Sequence, residues 1–160
     1  MEFLNPLSLL VAAVSALIVG FVWYNPKVFG TAWMKAADMD EEKMKGVNMA
    51  KIFALALLFA IMLALALPPM VIHQMGALSL AQGDLGVMPS HEAFLNDYSD
   101  AFRTFKHGAF HGFMSGLFIA LPILGTNALF ERKGAKYIFI NSGYWIVTLT
   151  IMGGIICAWR

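Results

Sequence analysis

Four long stretches without a charged residue constrain this chain more than any other feature. They are residues 7–24, 52–72, 108–130 and 137–159. Each has about the 20 residues that a helix needs to cross a bilayer. The composition agrees, because only 13% of the residues are charged, against about a quarter in a soluble domain. We therefore predict an all-α membrane protein, a single domain over 1–160, with four transmembrane helices in an antiparallel bundle.

The segments between these spans contain most of the charged residues. Asn5 and Pro6 suit the start of the first helix. Asp40, followed by two glutamates, suits the start of another. Charged segments at 27–50 and 90–106 are expected to form interfacial helices, since the second has aromatic residues on one face. Residues 73–90 contain three glycines and a proline without a helical period, which predicts a loop.

The distribution of basic residues predicts the orientation. Eight of the 11 Lys and Arg residues lie in the first and third connections between spans. Short connections rich in Lys and Arg stay on the cytoplasmic side. We therefore expect a multi-pass protein of the cell membrane with both termini outside.

The end of the first span carries a dense aromatic motif. Trp23 and Tyr24 stand where such rings prefer to lie, between hydrocarbon and headgroups. Pro26 disfavours helix at the residue before it. Phe29 and Trp33 are four residues apart, so on a helix they would share a face that lies flat on the membrane. This pattern predicts a membrane exit motif comprising Trp23, Tyr24, Pro26, Phe29, Gly30 and Trp33.

Two groups of residues carry a resemblance to a known family. The pattern Trp23-Tyr24-x-Pro26-x-x-Phe29-Gly30-x-x-Trp33 resembles the first signature of the bacterial family called domain of unknown function 1761. The second signature is similar to 127–132, 140–145 and 151–153, and the resemblance is poor across 74–106. It implies a small polytopic protein of a bacterial inner membrane, without an established activity.

Small residues recur every four positions in three of the spans. The third span has Gly108, Gly112 and Gly116, followed by Ala120. Alanines and a glycine recur at the same spacing in the first span, as do alanines in the second. Such stripes let two helices approach closely, so we favour helix packing over a glycine-lined pore.

Two histidines lie beside the glycine stripe. His107 and His111 project from one face of the helix, as a pair that shares a metal ion does. His73, His91 and Glu92 are further candidate ligands if the long loop folds over the helix end. The interpretation that we favour is that these histidines are interfacial residues bonded to backbone or water.

Two asparagines flank the turn between the third and fourth spans. Polar side chains in a membrane usually face another helix or a cavity. Asn127 and Asn141 are therefore expected to meet as a clasp across the helical hairpin. The alternative is a polar pocket lined by Asn127, Asn141, Tyr144 and Arg132.

The motifs of enzymes are missing from the sequence. It contains neither GxSxG nor HExxH, and none of the spans contains a carboxylate, so we expect neither an enzyme nor a cofactor. The net charge of +1 gives no reason to expect nucleic acid. Membrane lipids are the expected partners. The favoured function is a structural or accessory component that self-associates or joins a larger membrane complex. The alternative is a small-solute carrier or channel, or a lipid-binding module, acting as an oligomer.

Overall fold

The computed structural model describes residues 4–81 and 90–159, and within these residues it contains helices and no strands. The helices are α1 (Pro6–Trp23), α2 (Thr31–Ala37), α3 (Glu41–Met44), α4 (Met49–Ala66), α5 (Pro68–Val71), α6 (Gln74–Ala81), α7 (Ser90–Tyr98), α8 (Phe105–Ser115), α9 (Leu121–Phe130) and α10 (Ala135–Ala158). Single π turns cover Pro26–Gly30 and Gly116–Ala120, and the second joins α8 to α9 in one long helix.

Four helices are long and apolar enough to cross a membrane, which confirms this part of the fold prediction. They are α1, α4, the continuous α8–α9 helix and α10. Their bounds differ from the predicted spans by a few residues. The largest difference is in the second span, where Pro68 begins the separate short helix α5, since proline removes a backbone donor and fixes its own φ.

Polar side chains fix the starts of several helices. Asn5 accepts a hydrogen bond from the backbone of Leu7, and Asp40 accepts one from Lys43. Asn48 caps α4 and Thr104 caps α8 in the same way. These residues satisfy amide groups that have no partner within the helix.

The predicted loop over 73–90 is wrong for its first half, because Gln74–Ala81 form α6. The side chain of Gln74 is 2% exposed, and its amide donates to the carbonyls of Tyr98 and Ala101, at 2.6 and 2.8 Å. This tertiary contact holds the start of α6 against the end of α7. A contact of this kind leaves no periodic pattern in the sequence from which it could be predicted. Residues 82–89 lie outside the described part of the chain.

Helix α10 is the centre of the molecule, and its tightest contact is with α8. A Cβ atom on Gly108 would overlap the carbonyl oxygen of Gly153, and one on Gly112 would overlap that of Leu149. A Cβ on Gly116 would stand 2.6 Å from the Cα of Ile146. The glycine stripe therefore packs backbone against backbone inside this chain.

The alanine stripes are covered within the chain as well. Ala12, Ala16, Ala60 and Ala64 are buried in the core, where α1 packs against α4. Association between copies of the chain would therefore have to use other surfaces.

Candidate functional site

Two groups of polar side chains lie at the two ends of the long helices. We call the end formed by residues 24–48 and the α9–α10 turn the lysine end. The opposite end contains His73, the start of α8 and the end of α10, and we call it the histidine end. Contacts between Trp23 and Ile140 and between Arg103 and Cys157 tie the elements of each end together.

At the lysine end, the side chain of Asn141 connects α10 to the exit motif. Its oxygen accepts hydrogen bonds from the Tyr24 hydroxyl, at 3.0 Å, and from the Trp33 indole nitrogen, at 3.2 Å. Its nitrogen donates to the carbonyl of Tyr137, at 2.8 Å. Both polar atoms of this amide are therefore engaged in structural contacts.

The exit motif folds back against the helices. The Trp23 indole donates to the carbonyl of Ile140, at 3.0 Å, and Phe29 stacks on Trp23 with ring centroids 4.5 Å apart. A Cβ on Gly30 would overlap the carbonyl oxygen of Tyr24, so the π turn requires glycine there. Phe29 packs against Trp23 and Trp33 donates to Asn141, so both rings contact the rest of the chain. That Phe29 and Trp33 share a face lying flat on the membrane stays a prediction.

Two of the four residues of the predicted polar pocket line one cavity, and the other two lie elsewhere. Asn127 and Asn141 line a cavity of about 160 Å³ between α9 and α10. Among the described residues the two amides do not bond to each other, so the predicted clasp is not formed. Tyr144 donates instead to the carbonyl of Ala16, at 3.1 Å, and Arg132 is exposed on the α9–α10 turn.

Two larger apolar cavities open beside α4. The first, which we call the α1–α4 cavity, has a volume of about 540 Å³. The second has about 330 Å³ and lies between α4 and the α8–α9 helix. Trp145 lines both of them as well as the small cavity beside Asn127. The two volumes lie within the range of small-molecule sites.

At the histidine end, three imidazole rings face one another. His107 and His111 come from α8, and His73 comes from the connection between α5 and α6. The Nε2 atoms of His73 and His107 are 2.8 Å apart, and one ring nitrogen from each of the three lies within 4.8 Å of the others. The sequence offers His73, His91 and Glu92 as possible further ligands. The structure places His73 beside His107 and His111. The side chains of His91 and Glu92 lie outside the described part of the chain.

Two residues that sequence reasoning misses hold this end in place. Gln74, next to His73, donates hydrogen bonds to the carbonyls of Tyr98 and Ala101, and so holds the start of α6 against the end of α7. Arg103 is 5% exposed, and its Nε and Nη2 atoms donate to the carbonyls of Cys157 and Trp159, at 2.8 and 3.1 Å. A cation in this position stabilises the carbonyl end of α10. Both residues lie outside the apolar spans, where no periodic pattern distinguishes them.

This fold defines a small helical protein with polar clusters at both ends of helices that are long and apolar enough to span a membrane. The chain belongs to the family described as protein of unknown function DUF1761, whose profile matches residues 7–157. No curated protein and no solved structure matches it. The family that the two sequence signatures suggest is thereby confirmed.

Proposed function

We propose that this protein is an accessory membrane protein that binds an anionic phospholipid, with an acyl chain in the α1–α4 cavity. In this proposal the four long helices cross the cell membrane, a bacterial inner membrane, as an antiparallel bundle. The lysine end faces the cytoplasm and both termini are outside, as the distribution of basic residues suggests. The α1–α4 cavity is the observation that carries the proposal.

The walls of this cavity suit a hydrocarbon chain. Leu17 and Phe21 of α1 face Phe53 and Phe59 of α4 across it. The small residue Gly20 also lines the cavity and contributes no side chain to fill it. An unfilled space of this kind loses dispersion contacts along its whole lining. An acyl chain restores those contacts, and the surrounding bilayer supplies such chains directly.

The mouth of the cavity suits an anionic headgroup. Tyr24, Asn25 and Pro26 line the cavity at the lysine end. Lys27 and Lys51 adjoin lining residues in the sequence and are exposed. Neither lysine has an ion-pair partner among the described residues. Each basic residue near an anionic membrane surface contributes about 1 kcal/mol of attraction, so these two lysines favour a negatively charged lipid.

The lining argues against the alternative of a solute carrier or channel. Neither of the two larger cavities is lined by a charged side chain. Pathways for polar solutes and ions are lined by carbonyls or by polar and charged side chains. The lipid-binding alternative therefore fits these cavities better than transport does. Self-association and membership of a larger complex stay predictions.

The test is to fill the cavity and to measure the lipid that stays bound. Ala56 lines the cavity, whereas the neighbouring Ala54 is exposed and does not line it. We expect native mass spectrometry to detect one bound phosphatidylglycerol on the wild type and on Ala54→Trp, and none on Ala56→Trp. Equal retention of lipid by both variants would refute the proposal.

A double variant tests the headgroup. Lys27→Ala combined with Lys51→Ala should reduce the preference for phosphatidylglycerol over phosphatidylethanolamine without emptying the cavity. An unchanged preference would contradict the role of these two lysines.

A further inference from the structure

The histidine cluster is built from two segments that are distant in the sequence. His107 and His111 are one turn apart on α8, so their rings leave the same face of the helix. His73 approaches from the α5–α6 connection, 34 residues from His107. A pair at this spacing on one helix is common by chance. A third imidazole from another element makes the arrangement specific.

The distances suit a metal ion. Zinc binds imidazole nitrogen at 2.0–2.1 Å, so two nitrogens on a tetrahedral ion lie about 3.3 Å apart. The nitrogens of His73 and His107 are 2.8 Å apart, and all three lie within 4.8 Å of one another. These separations bracket the distance expected between two nitrogens bound to one zinc ion.

The backbone on which these rings stand is fixed in advance. The two hydrogen bonds of the buried Gln74 side chain position the residue directly before it, His73. The Thr104 hydroxyl accepts a hydrogen bond from the backbone nitrogen of His107, at 3.2 Å, and so fixes the start of α8. The ring of Phe102 stands against His73 and His107, with centroids 5.7 and 4.9 Å away. Ligands held in this way lose little conformational freedom when an ion binds.

Among the described residues, the three imidazoles have few hydrogen-bond partners other than one another. A neutral imidazole has one donor and one acceptor nitrogen. The contact between His73 and His107 uses one nitrogen of each ring, with one ring donating and the other accepting. Among the described residues, no carboxylate or backbone carbonyl accepts a hydrogen bond from any of the three rings.

We infer that His73, His107 and His111 form a binding site for a divalent transition-metal ion, with zinc as the best match. Imidazole nitrogen suits zinc, copper and nickel, whereas magnesium and calcium prefer oxygen ligands. Three protein ligands leave one tetrahedral position of zinc open to water or to another ligand, as in catalytic zinc sites. The site is separate from the α1–α4 cavity. A failure to bind zinc would therefore not refute the proposed lipid binding, and a failure to bind lipid would not refute the zinc site.

The test is isothermal titration calorimetry of the untagged full-length protein in detergent. Zinc should bind with one ion per chain, and magnesium should not bind. We expect His73→Ala, His107→Ala and His111→Ala each to weaken zinc binding at least about tenfold. The matched control is Lys106→Ala, which changes an exposed side chain of α8 next to His107 and should leave the affinity unchanged.

His73→Ala is the decisive variant, because it leaves the pair on α8 intact. If it binds zinc as tightly as the wild type, the pair alone is responsible and the three-histidine site is refuted. Absence of zinc binding by the wild type, or equal loss in Lys106→Ala, would also overturn it. His73→Gln keeps a polar side chain at this position and should weaken zinc binding too, which separates loss of a ligand from a folding defect.

Discussion

The lysine end and the histidine end both place polar side chains where helices able to span a membrane stop, but they use them differently. At the lysine end, Asn141 offers one acceptor to two aromatic donors, Tyr24 and Trp33, and all three groups are bonded. At the histidine end, three identical rings contact one another, and His73 and His107 share a single hydrogen bond. Complementary polar partners hold the lysine end together, whereas among the described residues the three rings of the histidine end contact mainly one another and aromatic rings.

The basic side chains Lys133 and Arg103 play the same part at the two ends. Lys133 donates to the carbonyl of Ala37, at 3.1 Å, and so ties the α9–α10 turn to the end of α2. Arg103 does the same for the end of α10 at the histidine end. Each cation lies at the carbonyl end of a helix, where it is favourable. Both ends are therefore anchored, and the difference between them lies in what their uncharged polar side chains do.

The largest expected effect comes from separating α8 from α10, because this contact supports both ends. In Gly112→Ala the new methyl group would overlap the carbonyl of Leu149. We expect a loss of about 3 kcal/mol in the free energy of unfolding, measured by denaturant titration in detergent micelles. Gly125→Ala is the matched control, since its nearest neighbour is a methyl group of Ile138 at 3.7 Å. Equal stability of the two variants would contradict the packing argument.

Removing the acceptor at the lysine end should have the next largest effect. Asn141→Leu leaves the Tyr24 hydroxyl and the Trp33 indole without their partner, and each unsatisfied buried donor costs about 1–3 kcal/mol. We expect a loss of about 2 kcal/mol in the same assay. The loss should shrink when Tyr24→Phe is added, because one unpaired donor is then removed. A double variant as unstable as the sum of the two single variants would show that the hydroxyl and the amide do not interact.

Removing a ring at the histidine end should change stability little in the absence of metal. His73 is exposed, so we expect His73→Ala to lower the free energy of unfolding by less than about 1 kcal/mol. The measurement is the same titration with a chelator present. A loss as large as that of Asn141→Leu would mean that the histidines are structural, and the contrast between the two ends would disappear.

The smallest effect is expected at the exposed ion pair of the lysine end. Lys43 lies 3.0 Å from Asp38, and its hydrogen bond lowers the pKa of that carboxyl group. A lowered pKa in the folded state adds stability above the ordinary aspartate pKa, and this stability is lost as the pH falls through the lowered value. Any advantage of the wild type over Lys43→Ala in melting temperature should therefore be small at neutral pH and vanish in acid. A difference that grows in acid would contradict this assignment.

Patterns that extend along one helix could be predicted from the sequence. Charge-free length predicts the four long helices, and the capping residues predict the starts of α1 and α3. The spacing of the glycines places them on one face, and that of His107 and His111 places the two rings together. Each of these features depends on residues within a single helix, where the geometry is fixed.

Only the tertiary structure decided which of these faces meet. It pairs Asn141 with Tyr24 and Trp33, 117 and 108 residues away, instead of with Asn127. It brings His73 to the pair on α8. Hydropathy and spacing determine where a helix begins and which side chains share a face, but the partner of a face depends on how whole helices pack, and in this chain the backbone contact of α8 with α10 sets that packing.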